Sequence, residues 1–378
     1  MKKILKAILP AGFKANGISC GLKRSGKLDL ALIYSQFPAL ASAKFTTNSI
    51  IAAPLIVCQK HLKSAKRFQA VLVNSGNANC FTGKPGIKDA QATVDYLARE
   101  LNIARQSVLV NSTGIIGKRL DLVKIKQGIP KLVLGLSDSG IHQAKVAIMT
   151  TDTFAKEVSI SLRIKGKPVR ICAIAKGAGM IAPHMATMLC FIMTDAAITQ
   201  GALDQALAAA VDKSFNCISV DGCMSTNDTV LILANASAGN KVISTGPGLR
   251  DFAQAVESIC LDLAKMVVTD AEGATKFIQI DVCQAKHLLE AKSIALSIAN
   301  SVLFKTAVFG QNPNFGRIVA AVGASGFKIK ENQLKIRLGS LKGKQVKLTV
   351  SLSRGKAKCT VYTCDLAPEY IKINAAYN

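Results

Sequence analysis

The segment Lys176-Gly-Ala-Gly-Met-Ile-Ala-Pro-His-Met-Ala-Thr-Met-Leu189 carries the residues best suited to chemistry. A glycine-rich approach and a proline lead to small Ala186, then to the hydroxyl of Thr187, then to an apolar run. That layout suits a peptide bond that breaks itself. The Thr187 hydroxyl would attack the Ala186 carbonyl, the acyl group would move from nitrogen to oxygen, and water would release the ester. The new chain would begin at Thr187. Its α-amine titrates near pH ~8, so it can serve as base for the neighbouring hydroxyl, a known variant of the nucleophile–base pair. Gly177 and Gly179 permit tight backbone geometry, Pro183 stiffens the approach, and β-branched Thr187 has few competing rotamers.

Acyl transfer also needs donors for a developing oxyanion, each worth about 3–4 kcal/mol when well placed. Thr113 and Gly114, in Asn111-Ser-Thr-Gly-Ile-Ile-Gly117, offer a hydroxyl and an amide directly after a strand-like run. The competing reading is an ordinary glycine turn. Thr150-Thr-Asp-Thr153 with Lys156 is suited to recognising an amino or carboxylate group, or to capping a strand. Lys176 is suited to pairing with a substrate carboxylate. In Asp270-Ala-Glu272-Gly273, carboxylates in a turn are suited to a substrate ammonium, with a solvated turn as the alternative. His184 has no evident Asp partner for a serine-type triad and reads as a loop residue.

Positioning these groups requires a mixed fold. Strand-like runs occur at Leu28–Tyr34, Ala70–Val73, Ser107–Val110, Val169–Ala175, Met188–Met193, Thr229–Leu233, Lys276–Val282 and Gln345–Ser351. Helical patterns occupy Ile87–Leu101, Gln200–Ser214 with Thr199 as N-cap, and Asp251–Val268, where Phe252, Val256, Ile259, Leu263 and Met266 mark one buried face. The mixture predicts an α/β or α+β class, and the stretch from about Lys328 reads as several consecutive strands. Polar loops after strands, at Asn74–Asn79, Asn111–Gly114 and Lys176–Gly179, are expected to converge.

Composition narrows the partners. The chain has 378 residues, 49% hydrophobic, enough for a substantial core. Eleven cysteines form no Cys-x-x-Cys pair and match no zinc spacing, so they read as reduced, small apolar residues, and no metal is expected. The net charge of +25 raises nucleic acid as a partner. Yet aromatics are only 5% and tryptophan is absent, so stacking platforms are lacking. The clustered Lys328, Lys330, Lys335, Arg337, Lys342, Lys344 and Lys347 read instead as the wet face of a sheet. Lys6 and Pro10 cut the N-terminal apolar stretch too short for a signal peptide. Gly177, Gly179, Pro183 and His184 argue against a spanning helix between Lys176 and Asp195. The expectation is a soluble, cytoplasmic protein that binds neither nucleic acid nor membrane.

These segments together resemble the ornithine acetyltransferase family, the glutamate N-acetyltransferases of arginine biosynthesis. The resemblance runs through Asp29-Leu-Ala-Leu32, Phe45-Thr-Thr-Asn48, Asn74–Asn79, Ser112–Gly117, Thr150-Thr-Asp-Thr-Phe154 and Lys176–Leu189. It continues through Ser225-Thr-Asn-Asp-Thr229, Glu272-Gly-Ala-Thr-Lys-Phe277, Pro313-Asn-Phe-Gly-Arg317 and Tyr370-Ile-Lys-Ile-Asn-Ala375. Ten such segments in one order are highly specific. The resemblance implies a layered α/β sandwich cut after Ala186, with an α chain of residues 1–186, a β chain of residues 187–378, and an α2β2 heterotetramer. It implies that Thr187 takes acetyl from N2-acetyl-L-ornithine and passes it to L-glutamate, with Thr113 and Gly114 as the oxyanion hole. Thr150, Lys176, Thr187, Glu272 and Asn374 match the family's substrate-binding positions. No cofactor is implied, although acetyl-CoA is a further acetyl donor to test. Some positions depart from the family. His184 stands where asparagine is usual, Cys223-Met224 replaces a more polar pair, and Gln311 and Phe315 replace residues that are commonly Arg and Trp. The family's last substrate contact, a hydroxyl residue two places after the final tyrosine, is expected to be missing or supplied otherwise, because Asn378 follows Tyr377. Two alternatives stand beside this reading: a related self-processed aminopeptidase or amidase, and a non-enzymatic basic binding protein.

Overall fold

The computed structural model describes residues 1–182 and 188–376. Ala186, Thr187, His184 and Tyr377 lie outside the described residues. The chain divides into two compact units. The first comprises Met1–Gly177, Thr187–Lys213 and Ser225–Leu263, and the second Ala178–Ala186, Ser214–Met224 and Ala264–Asn378.

The first unit is built on strands β1 (Lys2–Ile4), β2 (Phe13–Ile18), β3 (Leu30–Phe45), β4 (Phe68–Asn77), β5 (Val108–Ile115), β6 (Lys156–Ile164), β7 (Lys167–Lys176), β8 (Leu189–Thr194) and β9 (Thr229–Ala234). Its helices are α1 (Ala53–Ser64), α2 (Gly83–Leu101), α3 (Leu122–Leu134), α4 (Ile141–Ala147), α5 (Gln200–Lys213) and α6 (Gly246–Thr269), the last counted here up to Leu263. The strands run in the order β1-β6-β7-β8-β9-β3-β4-β5, with β2 also on β3. β3 serves two ladders. Residues Leu30–Tyr34 pair with β2 and β4, the register shifts before Ala39, and Leu40–Phe45 pair with β9. Alternate residues of the central strands, Cys172, Ile174, Leu189, Phe191, Met193, Leu231 and Leu233, share one core with Leu30, Leu32, Leu72, Val108 and Val110. The intervening residues, among them Ile171, Cys190, Ile192 and Ile232, are buried as well. Strands covered on both faces read as continuous apolar runs, as β8 does in Leu189-Cys-Phe-Ile-Met193.

The second unit holds β10 (Phe277–Ala285), β11 (Lys335–Leu338), β12 (Gln345–Ser351) and β13 (Ala357–Cys364), ordered β11-β12-β10-β13. Its helices are α7 (Leu288–Ala299), α8 (Val302–Phe309), α9 (Phe315–Gly323) and α10 (Pro368–Ala375). β12 alternates strictly. Val346, Leu348 and Val350 face a core with Ile278, Ile280, Val282, Ile294 and Ile298, while Gln345 and Lys347 face solvent. Lys335 and Arg337 on β11 are likewise exposed, so the wet-face reading holds for them and Lys347, while Lys328, Lys330, Lys342 and Lys344 are exposed in the segments flanking β11 and β12.

The expected mixed α/β class is what the chain adopts. Thr199 caps α5, its Oγ1 accepting from the Ala202 amide at 3.4 Å. The α6 face differs at its end. Phe252, Val256, Ile259 and Leu263 are buried, but Val267 rather than Met266 continues the buried stripe. The consecutive strands after Lys328 are present, and α10 follows them. Seven of the eleven cysteines are buried, in keeping with small core residues. No single helix among the described residues is long and apolar enough to cross a membrane.

Candidate functional site

Strand ends of the first unit converge around the Lys176 ammonium. The apolar run of β7 carries Lys176 to its C-terminal end, where the side chain is 3% exposed. A charge so buried must be paired or solvated by protein dipoles. Lys176 Nζ donates to Thr150 Oγ1 at 2.7 Å and to Thr113 Oγ1 at 3.2 Å. Three positions singled out from sequence therefore meet at one atom. Accepting from Lys176 leaves the Thr113 hydroxyl its proton to donate.

Gly114 sits beside Thr113 within β5, at an irregularity in the parallel pairing with β4. Its φ of 132° favours glycine, and a Cβ there would lie 2.4 Å from the Gly76 carbonyl carbon. Neither an open turn nor a larger residue fits. The pair is part of the strand, buttressed from behind by Gly76 and Asn77 of β4. Nearby polar groups are tied in. Ser112 Oγ donates to Asn74 Oδ1 at 2.5 Å, and Asn227 Nδ2 donates to the carbonyls of Ala78 at 2.7 Å and Ser112 at 2.8 Å.

Asp152 organises the Thr150 loop. Its Oδ2 accepts from the Thr150 amide at 3.0 Å, and its Oδ1 accepts from the Gly177 amide and from Lys156 Nζ, each at 2.7 Å. The Asp152–Lys156 pair is wholly buried. Burial alone would raise the Asp152 carboxyl, but Lys176, Lys156 and the Gly177 amide outweigh it and hold it down at about 2. Lys156 thus serves the loop's internal ion pair, and the loop presents Thr150.

Sequence reading missed Lys23. Its Nζ donates to the carbonyls of Leu28 at 2.8 Å and Met149 at 2.7 Å. Burial, with Lys176 and Lys27 adding to it against Asp29, lowers the Lys23 ammonium to about 8. It was missed because a lysine in Gly21-Leu-Lys-Arg24 carries no motif, and its role depends on a contact 126 positions away along the chain. Asp228 was also missed as an individual residue. It is fully buried, and burial pushes its carboxyl well above the ordinary range.

The second unit holds a separate polar cluster. Asn374 Nδ2, on α10, donates to Glu272 Oε2 at 2.9 Å. The Glu272 amide donates to Ala178 O at 3.0 Å, and a Cβ on Gly179 would lie 2.3 Å from the Glu272 carboxylate. Gly179 is therefore small because Glu272 occupies the space a side chain would need. Glu272 and Gly273 lie in a turn, as the sequence suggested, while Asp270 is buried. Asp221 accepts from the amides of Met180 at 2.6 Å and Ile181 at 2.8 Å and from the Tyr370 hydroxyl at 3.2 Å. Burial and the Asp221 charge raise the Tyr370 hydroxyl above its ordinary range. The chain approaching position 183 is thus pinned through Ala178, Met180 and Ile181. No group of three or more His, Cys, Asp or Glu residues suited to a metal occurs among the described residues.

The ArgJ family model matches residues 14–343 and 339–378. The arginine biosynthesis bifunctional protein ArgJ of Geobacter sulfurreducens is 44% identical over 97% of this chain and 98% of its own length. The glutamate N-acetyltransferase of Methanocaldococcus jannaschii is 43% identical, covering 97% of each chain. A solved ornithine acetyltransferase from Mycobacterium tuberculosis, complexed with ornithine, aligns at 38% identity with a TM-score of 0.45 over 48% of this chain and 97% of that one. With a family match along nearly its whole length and relatives above 40% identity, the chain belongs to the ArgJ family and is an acyltransferase of that family.

Proposed function

We propose that the chain transfers acetyl from N2-acetyl-L-ornithine to L-glutamate by double displacement through an acetyl-Thr187 ester, giving L-ornithine and N-acetyl-L-glutamate. The observation that carries this reading is the Lys176 ammonium bridging the Thr113 and Thr150 hydroxyls beside Gly114. A hydroxyl and an amide there are suited to a developing oxyanion, and a buried cation beside them is suited to a carboxylate.

Maturation comes first. Thr187 Oγ attacks the Ala186 carbonyl carbon, the C–N bond breaks, and the proton leaving Oγ ends on the departing nitrogen. Water then hydrolyses the ester, which leaves a carboxylate on Ala186 and a free α-amine on Thr187. The fragments hold 186 and 378 − 186 = 192 residues and assemble as α2β2. In turnover the α-amine takes the hydroxyl proton as Oγ attacks the acetyl carbonyl, and ornithine leaves with its amine. Glutamate then attacks the ester and regenerates the hydroxyl. Both amino acids carry an α-amino group and a carboxylate, so one set of contacts orients each in turn. Thr150 and Lys176 are suited to the carboxylate, and Glu272 with Asn374 to the ammonium. No cofactor takes part, acetyl-CoA is a possible second donor substrate, and the compartment is the cytoplasm.

The test is glutamate acetylation with N-acetylornithine and with acetyl-CoA as separate donors, for the wild type and Thr187→Ala. Transfer from N-acetylornithine that disappears in Thr187→Ala supports the reading. Hydrolysis of the donor without acetylation of glutamate would favour the aminopeptidase or amidase alternative.

A further inference from the structure

One buried carboxyl in the first unit has no part in the chemistry described so far. Asp228 immediately precedes β9, fully enclosed, between Asn227 and Thr229. Its backbone is held by β3's end, the Thr46 amide donating to Asp228 O at 3.0 Å. Its Oδ1 accepts from the Met188 amide at 3.1 Å. The Met188 carbonyl in turn accepts from the Thr229 amide at 3.1 Å. Met188 is therefore gripped on both sides of its Cα by two consecutive residues, one through a side chain and one through the backbone.

That placement matters because the Met188 nitrogen is the peptide nitrogen joined to the carbonyl of Thr187. It is the first amide after the proposed nucleophile, on the side away from the scissile bond. Backbone pairing of β8 with β9 begins at Leu189–Thr229, so the grip on Met188 extends that ladder by one residue towards the cut. We propose that Asp228 is the positioning residue of self-cleavage and of the mature terminus: by accepting from Met188 N–H it sets the register of residue 187.

Burial of the Asp228 carboxyl favours its protonated form. Among the described residues no hydrogen bond reaches Oδ2. Thr46 Oγ1, close by, is committed to Ser225 O at 2.7 Å. Burial raises the group well above the carboxylate range, against the opposing pull of the Met188 amide, the Ser225 and Thr46 hydroxyls and the Lys176 charge. A proton on Oδ2 leaves Oδ1 to accept from Met188. An ionised carboxylate would instead leave an unpaired charge in the core, which is costly. An amide of the same shape, accepting through its oxygen, should do the same work.

This inference rests on the self-cleavage reading, and the test separates the two. The rate of appearance of the fragment starting at residue 187 is measured by mass spectrometry on freshly refolded precursor. Wild type, Asp228→Asn, Asp228→Ala and Thr187→Ala are compared, with melting temperature recorded for each. Asp228→Asn is expected to cleave within about 3-fold of wild type, and Asp228→Ala to fold but cleave about 10- to 100-fold more slowly, the scale of a small misplacement of reacting atoms. The inference is overturned if folded Asp228→Ala cleaves at the wild-type rate, or if Asp228→Asn is as slow as Asp228→Ala. It is equally overturned if Asp228→Ala does not fold, since the group then serves the fold alone. If Thr187→Ala is still cut at the same bond, the reading beneath it fails instead, whatever Asp228 does.

Discussion

The two compact units cover their sheets in different ways. In the first, Lys156, Lys176, Asp152 and Asp228 are enclosed at the ends of strands that are themselves covered on both faces. In the second, the sheet keeps one apolar face inward and sends Lys335, Arg337 and Lys347 into solvent. Apolar burial stabilises both, at about 1.5–3 kcal/mol per large aliphatic side chain. Both spend part of that stabilisation on desolvating charges, the second at Lys276, Glu290, Lys305 and Asp365. Buried charges at the ends of close-packed strands are costly as structure, and the proposed acyl transfer gives Lys176 and Asp152 a use, since they hold the Thr113 and Thr150 hydroxyls and the Thr150 and Gly177 amides in place.

Substitutions can break this contrast, beginning with the largest expected effect. Lys156→Met should destabilise the first unit by about 3–5 kcal/mol, because it strands Asp152 in the core, and adding Asp152→Asn should recover much of that loss. Chemical denaturation of the single and double variants checks this. Gly114→Ala should lower kcat by about 10²–10³-fold with a folded protein, since its Cβ must displace the β4 backbone at Gly76 and disturb the proposed oxyanion donors. Steady-state acetylation of glutamate measures it.

Acid sharpens the contrast further. The Asp152 carboxyl is depressed to about 2 in the folded chain. Its ionised form therefore contributes stability at pH values above the unfolded carboxylate's ~3.9, and that contribution is lost as pH falls through about 2. The wild type should lose about 2 kcal/mol relative to Asp152→Asn over that window, read from denaturation midpoints at each pH. The smallest effect belongs to the second unit. Lys347→Ala, which removes an exposed charge 3.3 Å from Asp281, should change stability by less than about 0.5 kcal/mol and leave activity untouched.

Local pattern made the interior strands legible. β8 and β9 read as apolar runs because they are buried on both faces, and β12 because its alternation matches one buried face. The extent of β3 was not legible. Its second half, Gln36-Phe-Pro-Ala-Leu-Ala-Ser-Ala-Lys-Phe45, contains a proline and no clean period, and it is a strand because β9 pairs with it from nearly two hundred residues away. α10 was hidden because the eight residues from Pro368 to Ala375 are too few to show a helical period, so Asn374 entered through family likeness alone.

The site shows the same division. Thr113 and Gly114 were visible as a hydroxyl and a glycine after a strand, but a turn was the rival reading. Only the register against Gly76 shows why glycine is needed there. Lys176 was visible as a lysine ending a strand, and its meeting with Thr113 and Thr150 is long-range geometry. Lys23 and Asp228 carry no local signal, because what distinguishes them is burial.

The most direct test is intact-mass and N-terminal analysis of purified protein that is active in glutamate acetylation. Two fragments of 186 and 192 residues, the second beginning at Thr187 and gaining an acetyl group when N-acetylornithine is added without glutamate, are what this account requires. Active protein made only of the intact 378-residue chain, with no fragment starting at Thr187, would contradict it.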